Sequence, residues 1–354
     1  MSATPKVSVL LSVFDRTRFL PESIRSALDQ SYPHLELIVT DDSPDARSAP
    51  LCNAFASDPR LRYRRNPQTL GVALNFAAAL QQASGEFVLL LNDDDLMEPT
   101  LLEQLLPPLL ANPCCTLAFT DHWLINPDGE LLFQASLDNS ATWARNHLRP
   151  GLVPDPLALA LRGGIPFVMG TLVRRSALRH DWFIPQIAGA YDFWLALQIA
   201  RLDGDIAFVP GRHFRYRAHP QSESARLHPE KAACQVYILS ELLKKPLARR
   251  HRAFAQRLLA HFLFVLGRDR LYFGHRAAAR SAFAQSFRRR SALKTFAGLL
   301  ATFLPRQNLR SLAHSWRQLR GIPTPLPATP EVKTQRLFPI ENQVPSVKIR
   351  EISG

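Results

Sequence analysis

The sequence predicts an α/β protein with a doubly wound, mostly parallel sheet, a helical C-terminal extension and a proline-rich tail. Strand patterns alternate with helix patterns through the first 120 residues, which is the order of a parallel sheet covered by helices. After residue 228 the chain is rich in Ala, Leu and Arg, and this composition favours helices. From Gly321 the chain continues IPTPLPATP, and we expect a disordered tail because such a segment buries little apolar surface.

The predicted strands of the first region are apolar and β-branched. Segments 6–13 (KVSVLLSV), 35–40 (LELIVT) and 87–91 (FVLLL) show no polar alternation, which indicates strands buried on both faces. Shorter strands are expected at 61–64 and 116–120. The helices expected around these strands span 21–31, 45–56, 71–83 and 99–110.

The pattern is less regular from 121 to 190. The turn sequence at 126–129 (NPDG) predicts a hairpin over 123–133, because Asn, Pro, Asp and Gly favour tight turns. The remaining expected elements are a helix at 190–202, strands at 206–209 and 213–217, and helices after 228 with breaks near Pro246, Gly274 and Pro305.

The net charge of +13 is distributed unevenly. Residues 1–210 carry −7, whereas residues 211–320 hold 23 Lys and Arg against 4 Asp and Glu, which gives +19. Such asymmetry indicates two parts with different partners. We expect the acidic part to hold the chemistry. The basic part should face an anionic membrane surface, a phosphorylated lipid or a nucleic acid, or else pack on the sheet with a solvated basic face.

The chain shows no signal for export or membrane spanning. Its longest apolar runs fall well short of the roughly 18 residues that a spanning helix needs, and the start, MSATPK, lacks a signal-peptide pattern. Four cysteines have no paired spacing, as is typical of a reducing compartment. We therefore expect a cytoplasmic protein, with a peripheral position at the inner face of the plasma membrane as an extension of that prediction.

Two acidic clusters follow predicted strands. Asp41-Asp42 comes after the strand at 35–40, and Asp93-Asp94-Asp95 follows the strand at 87–91. Ligands of doubly wound sheets bind beyond the carboxyl ends of the strands. Adjacent carboxylates repel one another, and a divalent cation shared with phosphate oxygens relieves that repulsion. The absence of GxGxxG and GxxxxGK[ST] argues against a dinucleotide oxidoreductase and a P-loop NTPase.

Four stretches together resemble the family 2 glycosyltransferases of the GT-A fold. They occur at 6–43 (KVSVLLSVFDRTRFLPESIRSALDQSYPHLELIVTDDS), 71–99 (GVALNFAAALQQASGEFVLLLNDDDLMEP), 189–200 (GAYDFWLALQIA) and 214–220 (FRYRAHP). Any one of them is weak alone, but the ordered set is specific. The resemblance implies a Rossmann-like catalytic domain over 1–225. Its nucleotide-sugar half would be 1–120 and its acceptor half 121–225, followed by a basic helical extension over 226–320 and the tail over 321–354.

The resemblance also implies a nucleotide pocket. Ser12 and Val13 would line the base and ribose, and Asp42 would accept a hydrogen bond from N3–H of a pyrimidine base. Asp41 would support the same loop. Asn75 lies in the flanking helix, where a capping or packing role is as consistent as a binding role.

For the leaving group, the resemblance implies a divalent cation, Mn²⁺ or Mg²⁺. Asp94 would be the main ligand with Asp95 beside it, and Asp93 would line the diphosphate and sugar site. Asn92 stands where many relatives carry the first aspartate of the metal motif. This departure leaves the exact ligand set open.

The resemblance assigns the catalytic base to Asp192, which would take the proton of the attacking acceptor hydroxyl. The alternative is an acid that only stabilises a helix N-terminus. Tyr216, Arg217 and His219 would lie near the diphosphate, where cationic and donor groups offset developing charge. A structural role for His219 is equally consistent.

The function implied is an inverting, metal-dependent glycosyltransferase of the hexosyl or deoxyhexosyl type, acting in cell-envelope polysaccharide or lipopolysaccharide biosynthesis. Its partners would be a UDP- or dTDP-linked sugar, a glycan or lipid-linked acceptor and an anionic membrane surface, with no nucleic acid expected. Two alternatives stay open: a nucleic-acid-binding protein that uses the +19 segment, and a metal-dependent nucleotidyltransferase, which would release pyrophosphate.

Overall fold

The structure is a computed structural model that describes residues 4–219 and 229–303. The predicted tail at 321–354, the break near Pro305 and Pro220 of the fourth stretch lie outside the described residues. Within the described part, nine strands form one mixed sheet. The strands are β1 (Val7–Val13), β2 (Leu35–Asp41), β3 (Leu61–Arg65), β4 (Phe87–Asn92), β5 (Leu96–Met97), β6 (Cys115–Ile125), β7 (Gly151–Leu152), β8 (Thr171–Arg174) and β9 (Asp205–Arg217).

Helices cover both faces of this sheet and continue beyond it. They are α1 (Leu20–Leu28), α2 (Ala49–Asn53), α3 (Val72–Leu80), α4 (Leu101–Ala111), α5 (Phe133–Thr142), α6 (Pro156–Leu161), α7 (Tyr191–Ile199), α8 (Pro229–Leu243), α9 (Arg249–Tyr272), α10 (Arg276–Arg289) and α11 (Leu293–Ala301). None of the helices in the described ranges has the length and apolar character needed to span a bilayer.

The strand order is β3-β2-β1-β4-β8-β6-β9-β5, with β7 paired to β9. The first four strands in this order are mutually parallel, and β6 is parallel to β9, whereas β8, β5 and β7 run antiparallel to their neighbours. The predicted doubly wound, mostly parallel α/β fold is therefore confirmed. Of the antiparallel strands, β7 and β8 fall in the 121–190 region where the sequence pattern was irregular, whereas β5 directly follows the acidic triplet at 93–95.

Strand β1 shows why its sequence has no polar alternation. Val9 and Leu11 pack with residues of α1 and α4, while Leu10 faces the opposite core. That second core also contains residues of α3, α7, α8 and α9, including Ile238 and Leu259. The helices after residue 228 thus share an apolar core with the sheet. The predicted division at 225 into a catalytic and a helical domain stays a prediction.

A polar contact reinforces this packing. The Asp155 carboxylate caps α6 by accepting the backbone N–H of Ala158 at 3.1 Å, and it meets His251 Nε2 at 3.0 Å and Arg250 at 2.9 Å. His251 and Arg250 belong to the first turn of α9. Since Asp155 precedes α6, a single side chain connects the 121–190 region to the helical extension.

Two local predictions were wrong about the strands, one about their extent and one about their number. The turn at 126–129 exists, with Gly129 at φ +85°, but the expected hairpin is reduced to one bridge between Ile125 and Leu131 before helix α5 begins. The two strands expected at 206–209 and 213–217 are one strand, β9. Gly211 lies inside it at φ +103°, a conformation that allows a bulge without ending the strand.

Glu36 joins the central strands at the edge opposite the acidic clusters. It is 4% exposed and accepts hydrogen bonds from the Ser8 hydroxyl at 2.6 Å, the Ser84 N–H at 2.7 Å and the Lys6 ammonium at 3.0 Å. Arg62 adds an ion pair at 2.5 Å. Burial alone would raise the pKa of Glu36, but these hydrogen bonds outweigh burial and lower the pKa from its usual 4.5 to about 2.

We expect Glu36→Gln to lower the free energy of unfolding by about 1–3 kcal/mol at neutral pH, because ionised Glu36 is stabilised only in the fold. The folded pKa lies below the unfolded value, so this contribution is complete above about pH 4.5 and is lost as the pH falls towards 2. Urea unfolding of both proteins across this range measures the difference. The exposed Glu103→Gln is the control, and a Glu36→Gln effect that does not vary with pH would contradict the assignment.

Candidate active site

The carboxyl ends of three neighbouring strands meet at one edge of the sheet. Val13 of β1 pairs with Asp41 of β2, and Ser12 of β1 pairs with Asn92 of β4. Asp41 is the first residue of one acidic cluster, and the other cluster follows Asn92 directly. The edge therefore brings the clusters at 41–42 and 93–95 to the two sides of the end of β1.

On the β2 side, the Asp42 carboxylate organises the loop that precedes α3. It accepts the backbone N–H groups of Leu70 at 2.8 Å and Gly71 at 2.7 Å, and the Asn66 amide at 2.9 Å. Gly71 has φ +87°, which glycine adopts without strain. Asp42 is 2% exposed. An ionised carboxylate offers about four acceptor positions, so three of them are used inside the protein.

Asn75 connects α3 to the ends of the two central strands. Its amide nitrogen donates to the Ser12 hydroxyl at 2.8 Å and to the Thr40 carbonyl at 2.9 Å, and its amide oxygen accepts from Asn66 at 2.8 Å. Asn75 is fully buried. These contacts correspond to the packing role that the sequence left open.

Asp41 and Val13 hold the loop between the clusters. The Asp41 carboxylate accepts the Ser43 N–H at 2.9 Å and the Tyr63 hydroxyl at 2.8 Å, and the Val13 carbonyl accepts the Asp42 N–H at 2.9 Å. Burial, followed by the hydrogen bond to Asp41, raises the pKa of Tyr63. Through these hydrogen bonds, Asp41 and Val13 fix the path of the backbone at the end of β2.

Asp93 and Asp95 are completely buried. Asp93 Oδ2 accepts the Phe14 N–H at 2.8 Å. Its Oδ1 lies 3.2 Å from Arg16 Nε but accepts no hydrogen bond of good geometry from the described residues. Burial raises the pKa of Asp93 to about 7, with Arg16 opposing the rise, and burial also raises the pKa of Asp95 well above its usual value. The triplet therefore holds more negative charge than its surroundings fully offset.

The Asp94 side chain contacts Arg16 and His219. Its Oδ2 pairs with the Arg16 guanidinium and shares a hydrogen bond with His219 Nε2 at 2.9 Å. Asp94 is 3% exposed and His219 is 7% exposed, and the His219 ring lies 5.0 Å from the Phe19 ring. Of the three aspartates, Asp94 is thus the one whose side chain is engaged by both an arginine and a histidine.

Arg16 is a site residue that the sequence reasoning missed. Burial by itself would lower the pKa of Arg16, but the carboxylates of Asp93, Asp94 and Asp95 raise it above the usual value. The available signal was its position, three residues beyond the end of β1 at the carboxyl edge of the sheet. From that position Arg16 pairs with Asp93 and Asp94 of the triplet.

Arg217 is brought to the triplet, but its guanidinium binds protein groups. It donates to the main-chain carbonyls of Asp94 at 2.9 Å and Pro127 at 3.0 Å, and to the Glu22 carboxylate at 2.7 Å. Its backbone N–H donates to Asp95 Oδ1 at 2.9 Å. Arg217 is 1% exposed. These contacts are those of a residue that positions the triplet.

The preceding residue, Tyr216, lies elsewhere. Neighbouring side chains in a strand point to opposite faces, and the Tyr216 ring packs 6.1 Å from the ring of His122. Tyr216 therefore contacts strand β6 through the His122 ring.

Asn92 connects the triplet to the start of α7. Its amide nitrogen donates to Asp95 Oδ2 at 3.3 Å, and its amide oxygen accepts from the Tyr191 hydroxyl at 3.0 Å. Burial and the neighbouring Asp192 and Asp95 carboxylates raise the pKa of Tyr191. An aspartate at position 92 could not donate to Asp95. The departure from the family motif thus has a local reason.

Asp192 lies in the first turn of α7, next to Tyr191. The Tyr191–Asn92 hydrogen bond holds this turn against the triplet, although the two segments are about a hundred residues apart in the chain. The Asp192 side chain is half-buried. Within the described residues, the Asp192 side chain forms no hydrogen bond or ion pair.

The side chains around Asp94 could ligate the divalent cation that the sequence implies. Among residues 4–219 and 229–303, no three His, Cys, Asp or Glu side chains converge into a complete metal cage. Asp94 and His219 do face each other at 2.9 Å, and the buried Asp93 Oδ1 beside them accepts no hydrogen bond from the described residues. One or two protein ligands, completed by phosphate oxygens and water, suit Mg²⁺ or Mn²⁺. These residues fit such a cation.

Residues 8–143 match the family model described as Glycosyl transferase family 2. A Campylobacter jejuni relative, GalNAc(5)-diNAcBac-PP-undecaprenol β-1,3-glucosyltransferase, is 40% identical over 93 residues, which cover 26% of this chain and 30% of that protein. Three further bacterial relatives, two named as glycosyltransferases and one as a hyaluronan synthase, are matched over 59%, 50% and 14% of their lengths. The chain therefore spans less than two thirds of each of these relatives.

Two solved structures resemble most of the chain. S. aureus TarS 1–349 in complex with UDP-GlcNAc has a TM-score of 0.60 at 17% identity, covering 88% of this chain and 92% of that one. The mannosyltransferase PcManGT from Pyrobaculum calidifontis, in complex with GDP-Man and Mn²⁺, has a TM-score of 0.54 at 18% identity, covering 91% and 84%. At these identities the likeness establishes the fold. The chain therefore has the GT-A fold of these structures, and its residues 8–143 are similar to glycosyl transferase family 2.

Proposed function

We propose that this protein transfers a hexosyl or deoxyhexosyl group from a nucleoside-diphosphate sugar to a hydroxyl of a glycan or lipid-linked acceptor, with inversion, in cell-envelope polysaccharide biosynthesis. One observation carries the proposal. The hydrogen bond between Asn92 and Tyr191 holds the start of α7, with Asp192, against the buried carboxylates at 93–95. A leaving-group site and a candidate base thereby lie at one edge of the sheet. Relatives named for glycan and polysaccharide synthesis support the pathway class.

In the proposed donor pocket, Ser12 and Val13 line the base and ribose, and Asp42 accepts N3–H of a pyrimidine. The three internal hydrogen bonds of Asp42 leave about one acceptor position and fix its direction. Asp41 holds the adjoining loop, and Asn75 positions the Ser12 hydroxyl. A UDP- or dTDP-linked sugar satisfies this pocket, because both bases carry N3–H. The TarS complex with UDP-GlcNAc supports a pyrimidine donor.

At the diphosphate, Asp94 would hold the divalent cation together with Asp95, and His219 contacts Asp94 from the other side. Asp93 lines the diphosphate and sugar. When bound, Mn²⁺ or Mg²⁺ acts as a Lewis acid on the leaving group. Arg16 then exchanges its contact with Asp94 for phosphate oxygens, which a guanidinium binds in bidentate fashion. The PcManGT complex with GDP-Man and Mn²⁺ supports the use of a divalent cation.

Asp192 is the proposed base. The acceptor hydroxyl attacks the anomeric carbon from the side opposite the diphosphate, and the configuration inverts. The carbon–oxygen bond to the diphosphate breaks with its electron pair on the leaving oxygen, and the hydroxyl proton passes to Asp192. The triplet carboxylates cannot accept this proton, because they lie on the leaving-group side.

Donor and cation are identified by thermal unfolding with a panel of sugar nucleotides. We expect UDP- or dTDP-linked sugars to raise the melting temperature in the presence of Mn²⁺, because ligands that bind only the folded state stabilise it. GDP-linked sugars are the control and should give little change. An equal shift in the presence of EDTA would contradict the cation, and a shift confined to purine nucleotides would contradict the role of Asp42.

With the donor known, Asp94→Asn should reduce nucleoside-diphosphate release by roughly a hundredfold or more, since the leaving group loses its main charge compensation. Circular dichroism should show an intact fold. The exposed Asp203→Asn is the matched control and should retain activity. Release of pyrophosphate from a nucleoside triphosphate, rather than diphosphate from a sugar nucleotide, would favour a nucleotidyltransferase instead.

Asp192→Asn should lower kcat by about 10²–10⁴-fold with the donor affinity unchanged, which is the usual effect of removing a general base. Titration calorimetry of donor binding and the initial rate of transfer measure the two quantities separately. Asp192→Glu, which keeps the carboxylate, should recover part of the rate. Unchanged turnover in Asp192→Asn would leave Asp192 only the helix-terminus role.

A further inference from the structure

Helix α11 packs on the protein with its small side chains. Thr295 and Thr302 are each 1% exposed. A Cβ atom on Gly298 would lie 2.7 Å from the ring of Phe283, so glycine allows the helix to approach that ring closely. Phe283 is 1% exposed and is also in close contact with Gly267 of α9. The orientation of α11 is therefore set by close packing against α10 and α9.

Four of the five large apolar side chains between 293 and 303 face outwards, and the fifth, Leu299, is half-buried. Leu293, Phe296, Leu300 and Phe303 are 85%, 45%, 53% and 66% exposed. Their spacing of three, four and three residues places them on one stripe. A helix on a globular core normally buries such a stripe and exposes its small and polar residues. Here the arrangement is reversed, and an exposed apolar stripe marks an interaction surface.

Basic residues surround this stripe. Residues 276–303 contain six Lys and Arg and no Asp or Glu. Arg288, Arg289, Arg290 and Lys294 are exposed, and the Arg280 guanidinium lies 5.0 Å from the centre of the Phe303 ring. We call the stripe together with these cations the α11 face. It combines exposed hydrocarbon with a positive charge that no nearby acid in the same segment offsets.

We propose that the α11 face binds the surface of an anionic lipid bilayer. The apolar stripe would enter the boundary between headgroups and acyl chains, and the cations would contact lipid phosphates. A second copy of the chain fits poorly, because two such faces would oppose five cations to five. Residues 304–354 fit poorly as a cover, since they carry a net +5. Nucleic acid would neutralise the cations but would leave Leu293 and Leu300 without a partner.

This inference rests on the surface alone and is independent of the proposed transfer reaction. If both hold, the membrane contact would keep the enzyme beside a lipid-linked acceptor. The occupant is identified here by its chemistry, an anionic phospholipid surface, and vesicles of defined composition are the direct probe.

The test is co-sedimentation of the full chain with vesicles of phosphatidylcholine, with and without phosphatidylglycerol. We expect binding to the anionic vesicles only, and weakening by salt. Replacing Leu293, Phe296, Leu300 and Phe303 by serine should reduce binding at least tenfold. Replacing Arg288, Arg290 and Lys294 by alanine should reduce it by about fivefold per cation. All seven side chains are exposed, so circular dichroism should show an intact fold for both variants.

The matched control is Leu110→Ser with Leu131→Ser, two exposed leucines outside the helical extension, which should bind as the unchanged protein does. No binding to anionic vesicles would overturn the proposal, as would full binding by the serine variant. Light scattering and duplex DNA titration test the other occupants. A dimer that the serine replacements dissolve without any vesicle binding, or DNA binding tighter than vesicle binding at the same salt, would assign the face to those partners instead.

Discussion

The active-site edge depends on one buried cation, Arg217. Its guanidinium joins the Asp94 carbonyl, the turn at Pro127 and Glu22 of α1, and its backbone N–H supports Asp95. Three consecutive buried carboxylates are costly unless nearby charges and donors compensate them. Arg217 contributes its backbone N–H to Asp95 and holds the Asp94 carbonyl, while the Arg16 guanidinium pairs with Asp93 and Asp94 from the loop after β1. The directions in which the three aspartates point are consequences of this arrangement.

Much of the sheet could be predicted, because its central strands are buried on both faces. Continuous apolar runs mark β1, β2 and β4, and the acidic clusters mark where two of them end. Strand β8 could not be found in the same way, since four residues carry no usable period. Nor could the helix after the 126–129 turn. Phe133 stacks on Trp123 at 5.9 Å, and this tertiary contact accompanies helix α5 where a second hairpin strand was expected.

For the site, residue types indicated the chemistry but not the contacts. The sequence and the family resemblance brought attention to Asp94, Asp192 and Arg217. They could not show that the Arg217 guanidinium donates to main-chain carbonyls and to Glu22. Those contacts depend on how α1 and the 126–129 turn fold around it. Arg16 was missed for a related reason. Its partner is set by the path of the loop after β1, and loop conformation is the part of a fold that periodicity does not encode.

The core shared by the sheet and the helices after residue 228 has a consequence for how such proteins diversify. Leu10 of the first strand packs in the same cluster as Ile238 and Leu259, and Asp155 binds the first turn of α9. A helical region joined to the sheet in this way cannot be replaced independently of it. A lineage that acquired a different extension would also have to reshape one face of its sheet. Inheritance of the two parts is therefore tied together by packing rather than by the continuity of the chain.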